Sequence, residues 1–179
     1  MMPQERPLKI RLMRMGWSRD EVISYHDFVG FPLHTGYTRY DMSRISCTYC
    51  IMSTAADLTA AATCVDNQPV YRNLVDLEIL STFGFQSNRW LADIAPHVLS
   101  AEQRAAVVEA KCRAELRVQA ESTIPRHLLF TKGHATAIPT FIEAQGIAAV
   151  RRTVADLLSI SVDYTEPLQI QARYRELHV

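Results

Sequence analysis

The sequence predicts a predominantly α-helical chain with a short β element. Ser18 with Glu21 and Ser100 with Gln103 are both capping boxes, each leading into apolar residues at three- and four-residue spacing. The Ala-rich run over residues 55–65 has high intrinsic helix propensity. Strict alternation is found at Leu8, Ile10 and Leu12, with Lys9 and Arg11 between them, which predicts one short strand with a basic face.

Taken in order, the first helix is expected over 19–29, with Val22, Tyr25, His26 and Val29 at helical spacing until Gly30 and Pro32 end it. Residues 31–52 show no sustained period and contain Pro, Gly, Thr, Asp and Ser, so they read as an ordered loop. Ser53 and Thr54 are placed to cap the Ala-rich helix. Pro69 suits the first turn of another, with Leu74, Leu77 and Leu80 as its apolar stripe and Gly84 as its C-terminal cap. A short helix is expected around 87–95, ended by Pro96. The longest, about 101–121, groups Ala105, Val108, Cys112 and Leu116 on a core face and pairs Glu109 with Arg113 on its surface. Helical segments over roughly 139–160 and 166–177 close the chain. Trp17 and Trp90 are expected to act as packing anchors.

With 179 residues, 48% of them hydrophobic, the chain is long enough to bury about two thirds of its unfolded surface. A single domain is expected, with 8–52 forming a strand, helix and Cys-bearing loop and 53–179 a helical region. Lys+Arg and Asp+Glu both total 19, which argues against a global field directed at nucleic acid or anionic membrane. The balance is uneven along the chain: residues 1–50 carry seven basic and five acidic side chains, residues 51–100 two and five. No apolar window reaches membrane-spanning length, and the opening Met-Met-Pro-Gln-Glu-Arg carries no apolar signal core, so a cytoplasmic location is expected.

Most of the plausible chemistry lies between His34 and Ile51. Cys47 and Cys50 form a Cys-x-x-Cys pair, a spacing that lets both thiols reach one metal ion or form an exchangeable disulfide. Three readings stay open. The pair is structural, with small side chains buried as hydrophobes; or it is a zinc or iron–sulfur half-site completed by His26, His34 or a partner chain; or it is a redox or nucleophilic site, favoured by Arg44 and the helix start that follows. Cys64 sits at the far end of an Ala-rich helix, about 16 Å away, and is a poor third ligand. His34, Tyr37, Arg39 and Arg44 make a basic and aromatic approach that can bind a sulfate, phosphate or nucleotide through charge-assisted hydrogen bonds.

In their order and spacing, Trp17, Val22, Tyr25, Pro32-Leu33-His34, Tyr37, Met42-Ser43-Arg44 and Cys47-x-x-Cys50-Ile51 resemble the C-terminal portion of phosphoadenosine-phosphosulfate reductase-like proteins. The branch most similar is one often carried by phages and mobile elements. Leu77-Glu78, Gly84-Phe85, Ser87, Arg89, Leu91 to Ile94, Ile124-Pro125 and Ala137-Ile138-Pro139 extend the resemblance to roughly residues 8–140. It implies the C-terminal half of an α/β adenine-nucleotide alpha-hydrolase-like protein, with the nucleotide-binding sheet mostly missing. The glycines at 16, 30, 36, 84, 133 and 146 include no adjacent pair, so the Gly-Gly phosphate loop of that superfamily has no counterpart here. The implied function is a sulfonucleotide-reductase-like part in sulfur metabolism, with Cys47 and Cys50 catalytic and His34, Tyr37, Arg39 and Arg44 binding an adenylated or sulfur-bearing small molecule. A separate nucleotide-binding subunit is the implied partner. The competing expectation is a non-catalytic helical binding or assembly module whose Cys pair is structural or metal-binding.

Overall fold

The structure, a computed structural model, describes residues 16–87, 89–132 and 136–177. The expected strand over Leu8–Leu12 lies outside the described residues. Among those described, the chain is predominantly helical, and its antiparallel pairing is confined to isolated bridges such as Gln86 with Arg89.

Two compact units are present, Met1–Cys64 and Val65–Val179. The Ala-rich helix therefore belongs with the Cys-bearing loop that precedes it. The first unit contains α1 (Arg19–Phe28), the short α2 (Thr35–Thr38) and α3 (Ala55–Thr63). The capping box at the start of α1 is formed, with Glu21 N–H on Ser18 Oγ at 3.3 Å and Ser18 N–H on Glu21 Oε2 at 2.6 Å. Thr54 caps α3 and Cys64 ends it. Burial in this unit centres on α3 and its approach: Ser53, Asp57, Leu58, Ala61 and Ala62, together with Gly36. In contrast α1 buries no residue, and Trp17, expected as an anchor, is 38% exposed with its ring edge-on to Tyr25.

The second unit contains α4 (Gln68–Ser81), α5 (Ala101–Glu121), α6 (Phe141–Leu158) and α7 (Pro167–Leu177). Here α4 packs on α5, α5 on α6, and α6 on α7. The capping box of Ser100 with Gln103 opens α5, and Thr140 with Glu143 opens α6 in the same way. Leu128, Ala144, Ile147, Ala148 and Ile170 form one core cluster, joined by Ile124 and Tyr174. The segment expected as a helix over 87–95 is instead a tight 3-10 turn at Leu91–Asp93, followed by another at Pro96–Val98.

Two expected core faces are rotated. Leu77 and Leu80 are exposed, and α4 buries Tyr71, Val75 and Glu78. On α5, Val108, Cys112 and Leu116 face outward, while Val107, Ala110 and Arg117 are buried. The physical reason is the same in both: polar side chains whose hydrogen bonds are met inside the protein hold positions that an apolar count assigns to solvent. Glu78 accepts the N–H groups of Phe85 (2.6 Å), Leu91 (2.6 Å) and Ala92 (3.0 Å). Tyr71 donates its hydroxyl to the Leu91 carbonyl and accepts from Ala95 N–H at 2.8 Å. Burial pushes its phenol up to about 12. Arg117 donates to Thr82 Oγ1 and the Thr82 carbonyl, ion-pairs with Glu121, and lies over the Phe83 ring. Arg113 turns to the Ile79 carbonyl at 3.1 Å.

The end of α4 also differs from expectation. Its left-handed cap is Thr82 at φ 60°, not Gly84. Gly84 is required for another reason, because a Cβ there would come within 2.9 Å of the Arg89 carbonyl oxygen.

Candidate functional site

The loop from His34 to Ser53 is held by its own backbone and by the start of α3. Its first turn is fixed by His34, whose Nδ1 accepts Gly36 N–H at 2.9 Å and so caps α2. Gly36 is buried, and a Cβ there would collide with the Ile45 side chain. A larger residue there would require the Ile45 side chain to shift. Met42 N–H returns to the Gly36 carbonyl at 2.9 Å, with Asp41 left-handed at φ 51° beside it. Tyr37 closes the loop further by accepting Ile45 N–H on its hydroxyl at 3.3 Å.

Asp57 joins this loop to α3. Its carboxylate accepts Ser43 N–H at 2.6 Å on Oδ1, and Ser43 Oγ–H at 2.7 Å and Thr54 Oγ1–H at 2.9 Å on Oδ2. Burial pushes the Asp57 carboxyl up, but the hydrogen bonds from Ser43 and Thr54 outweigh it and hold the group below the usual aspartate range. A second tie runs from Ser53 N–H to the Cys50 carbonyl at 2.8 Å.

Of the residues expected to form the site, the fold brings Arg44 and Cys50 together: Arg44 Nη2 donates to Cys50 Sγ at 3.7 Å. A guanidinium at that distance places a positive charge beside the sulfur. Tyr37 stands next to this pair through its bond to Ile45, and Arg19 of α1 lies over its ring, 5.8 Å from the centroid. Arg39 is directed elsewhere, over the Tyr40 ring at 5.4 Å. His34 serves the loop through Nδ1.

Cys47 is exposed, Cys50 is half-buried, and all four cysteines are free thiols. The reading of the pair as small buried hydrophobes is therefore not met. Among the described residues, no three His, Cys, Asp or Glu side chains converge as a metal-ligand group. His26, a suggested third ligand, instead contacts the Phe31 carbonyl through Nδ1 at 3.2 Å.

Compared with family models, curated proteins and solved structures, the chain matches none. The site thus stands on its own geometry. Asp57 and Arg19 are the residues that sequence reasoning missed. Thr54-x-x-Asp57 is itself a capping pattern and signalled the helix start, but nothing in the spacing announced that Asp57 also reaches Ser43, fourteen positions earlier. Arg19 carried no signal beyond its charge.

An open cleft of about 630 Å³ lies in the second unit, lined by Phe83, Trp90, Lys111 and Arg117 among others. None of the expected site residues line it. Its cations are already matched internally, Lys111 by Asp93 at 2.6 Å and Arg117 by Glu121 at 2.9 Å. The loop of the first unit, where Arg44 has no carboxylate partner among the described residues, is the better candidate for an anionic ligand. Among the described residues, no helix is long and apolar enough to cross a membrane.

Proposed function

We propose that the chain is part of a phosphoadenosine-phosphosulfate reductase-like protein, contributing the Arg44 and Cys47-x-x-Cys50 loop to a site for a sulfonucleotide or other adenylated substrate. The observation that carries this reading is the 3.7 Å contact of the Arg44 guanidinium with the Cys50 sulfur on an accessible loop. In this role Arg44 holds anionic oxygens of the substrate beside the thiol, and the Cys pair supplies the sulfur chemistry, the electrons or, with further ligands, a zinc or iron–sulfur centre. The ordered residues from Trp17 to Ile51 resemble that family. In this reading the nucleotide's phosphates are held by a separate nucleotide-binding half, since the residues given include no Gly-Gly phosphate loop.

Calorimetric titration of ATP and of adenylated sulfate tests the reading. Binding heat is expected when the chain is mixed with a candidate nucleotide-binding half, and this heat is lost in Arg44→Ala. Absence of heat from both the chain alone and the mixture sinks the proposal.

A second reading, an assembly module, is favoured by the outward apolar residues Leu77, Leu80, Val108 and Leu116 on α4 and α5. Metal analysis bears on its Cys pair: about one equivalent of zinc or iron, lost in Cys47→Ser, indicates a ligated structural site.

A further inference from the structure

We infer that Asp57 is a positioning residue for the Arg44–Cys50 pair, and the inference rests on the reading of Cys50 as the working thiol. Asp57 is 2% exposed and occupies the third position of α3, where a carboxylate serving only the helix needs no partner outside the first turn. It has one: both oxygens bind Ser43, through its backbone N–H at 2.6 Å and its hydroxyl at 2.7 Å. Ser43 immediately precedes Arg44. The start of α3 therefore holds both ends of the functional contact, Arg44 through Asp57 and Ser43, and Cys50 through Ser53 N–H on its carbonyl at 2.8 Å.

The physical argument is one of pre-organisation. Arg44 is exposed, and a free arginine side chain has much rotamer entropy to lose before it can sit on a sulfur atom. A guanidinium-to-sulfur contact at 3.7 Å is too weak to order the loop that carries it. The order has to come from a stronger interaction nearby. The charge-assisted bonds from Ser43 to the buried Asp57 carboxylate are short and act one residue away. Without them the Arg44 backbone is free to move, and the guanidinium leaves the sulfur.

The test is the alkylation rate of Cys50 by iodoacetamide at neutral pH, resolved by peptide mass spectrometry with the exposed Cys47 of the same chain as internal reference. Arg44→Ala is expected to lower the Cys50 rate about threefold, since it removes the positive charge that faces the sulfur at 3.7 Å. Asp57→Asn is expected to reproduce that loss and to add nothing in the Arg44→Ala background, the signature of two residues acting through one contact. Ser43→Ala, a milder change, is expected to give a smaller loss in the same direction. Thr54→Ala is the control: it removes the α3 cap and one Asp57 bond, leaves Ser43 on Asp57, and is expected to lower the melting temperature with no change in the Cys50 to Cys47 ratio.

An Asp57→Asn protein that melts earlier but alkylates normally overturns the inference and leaves the proposed function intact. So does independence of the Asp57 and Arg44 effects. An unchanged rate in Arg44→Ala removes the reading of Cys50 itself, and the inference with it.

Discussion

Asp57 and Glu78 are both buried carboxylates, yet their surroundings push them in opposite directions. Burial raises each. At Asp57 it is outweighed by Ser43 and Thr54, whereas at Glu78 it prevails over three backbone N–H donors, with the Asp93 charge adding to it. The consequences for stability have opposite signs. The unfolded chain binds the Asp57 proton near the ordinary value of 3.8, the folded chain only at lower pH. The stability Asp57 contributes is thus fully present above the unfolded value and is lost as pH falls through the folded one. Glu78, raised from 4.5, favours the fold most below that value and progressively less as pH rises through its folded one. Urea unfolding in steps from about pH 6 to about pH 3 is expected to show a shallower acid loss of stability in Asp57→Asn than in the parent chain.

At the scale of elements, four helix starts share one device, while α4 starts after Asn67 with no side-chain cap. Ser18, Thr54, Ser100 and Thr140 all cap with their own side chains, so each start is written in two residues three apart. The ends of α4 and α6 both use a left-handed residue that is not glycine, Thr82 at φ 60° and Ser159 at φ 54°. Ser159 is exposed and its cap is backbone alone, with its N–H directed to Ala155 and Asp156 carbonyls. Ser159→Gly is therefore expected to stabilise the protein by about 1 kcal/mol, read as a rise of about 2–4 °C in melting temperature. At Thr82 the same change gives no gain, because its hydroxyl holds the buried Arg117 at 3.1 Å. One backbone geometry yields two outcomes according to what the side chain touches.

Across the whole molecule, burial is uneven. The second unit has buried side chains on each of its long helices, from Tyr71 and Val75 through Val107 and Ala110 to Ala144, Ile147, Ala148 and Ile170. In the first unit burial is concentrated on α3, and α1 contributes none. Native-state hydrogen exchange is expected to follow this division, with amides of α4, α5 and α6 among the slowest and those of α1 among the fastest. Equal protection of α1 and α5 contradicts the assignment.

The sequence by itself determined the helical class, the starts of most of the longer helices and the segment in which the candidate site residues gather. These are local properties: a capping box spans four residues, propensity is summed over one window, and Cys47-x-x-Cys50 is a short spacing. Only the tertiary structure decided which faces of α4 and α5 are buried, because Tyr71, Glu78 and Arg117 have their polar atoms matched by partners distant in sequence, and a pattern of apolar residues contains no record of them. The same holds at the site. Arg44 and Cys50 were legible as candidates from type and proximity, whereas their contact, the turning of Arg39 to Tyr40, and the tie of Ser43 to Asp57 depend on how the loop closes on α3. Residue type announces chemistry over short distances; the fold selects which residues share it, because hydrogen bonds between distant positions form only once the chain has brought them together.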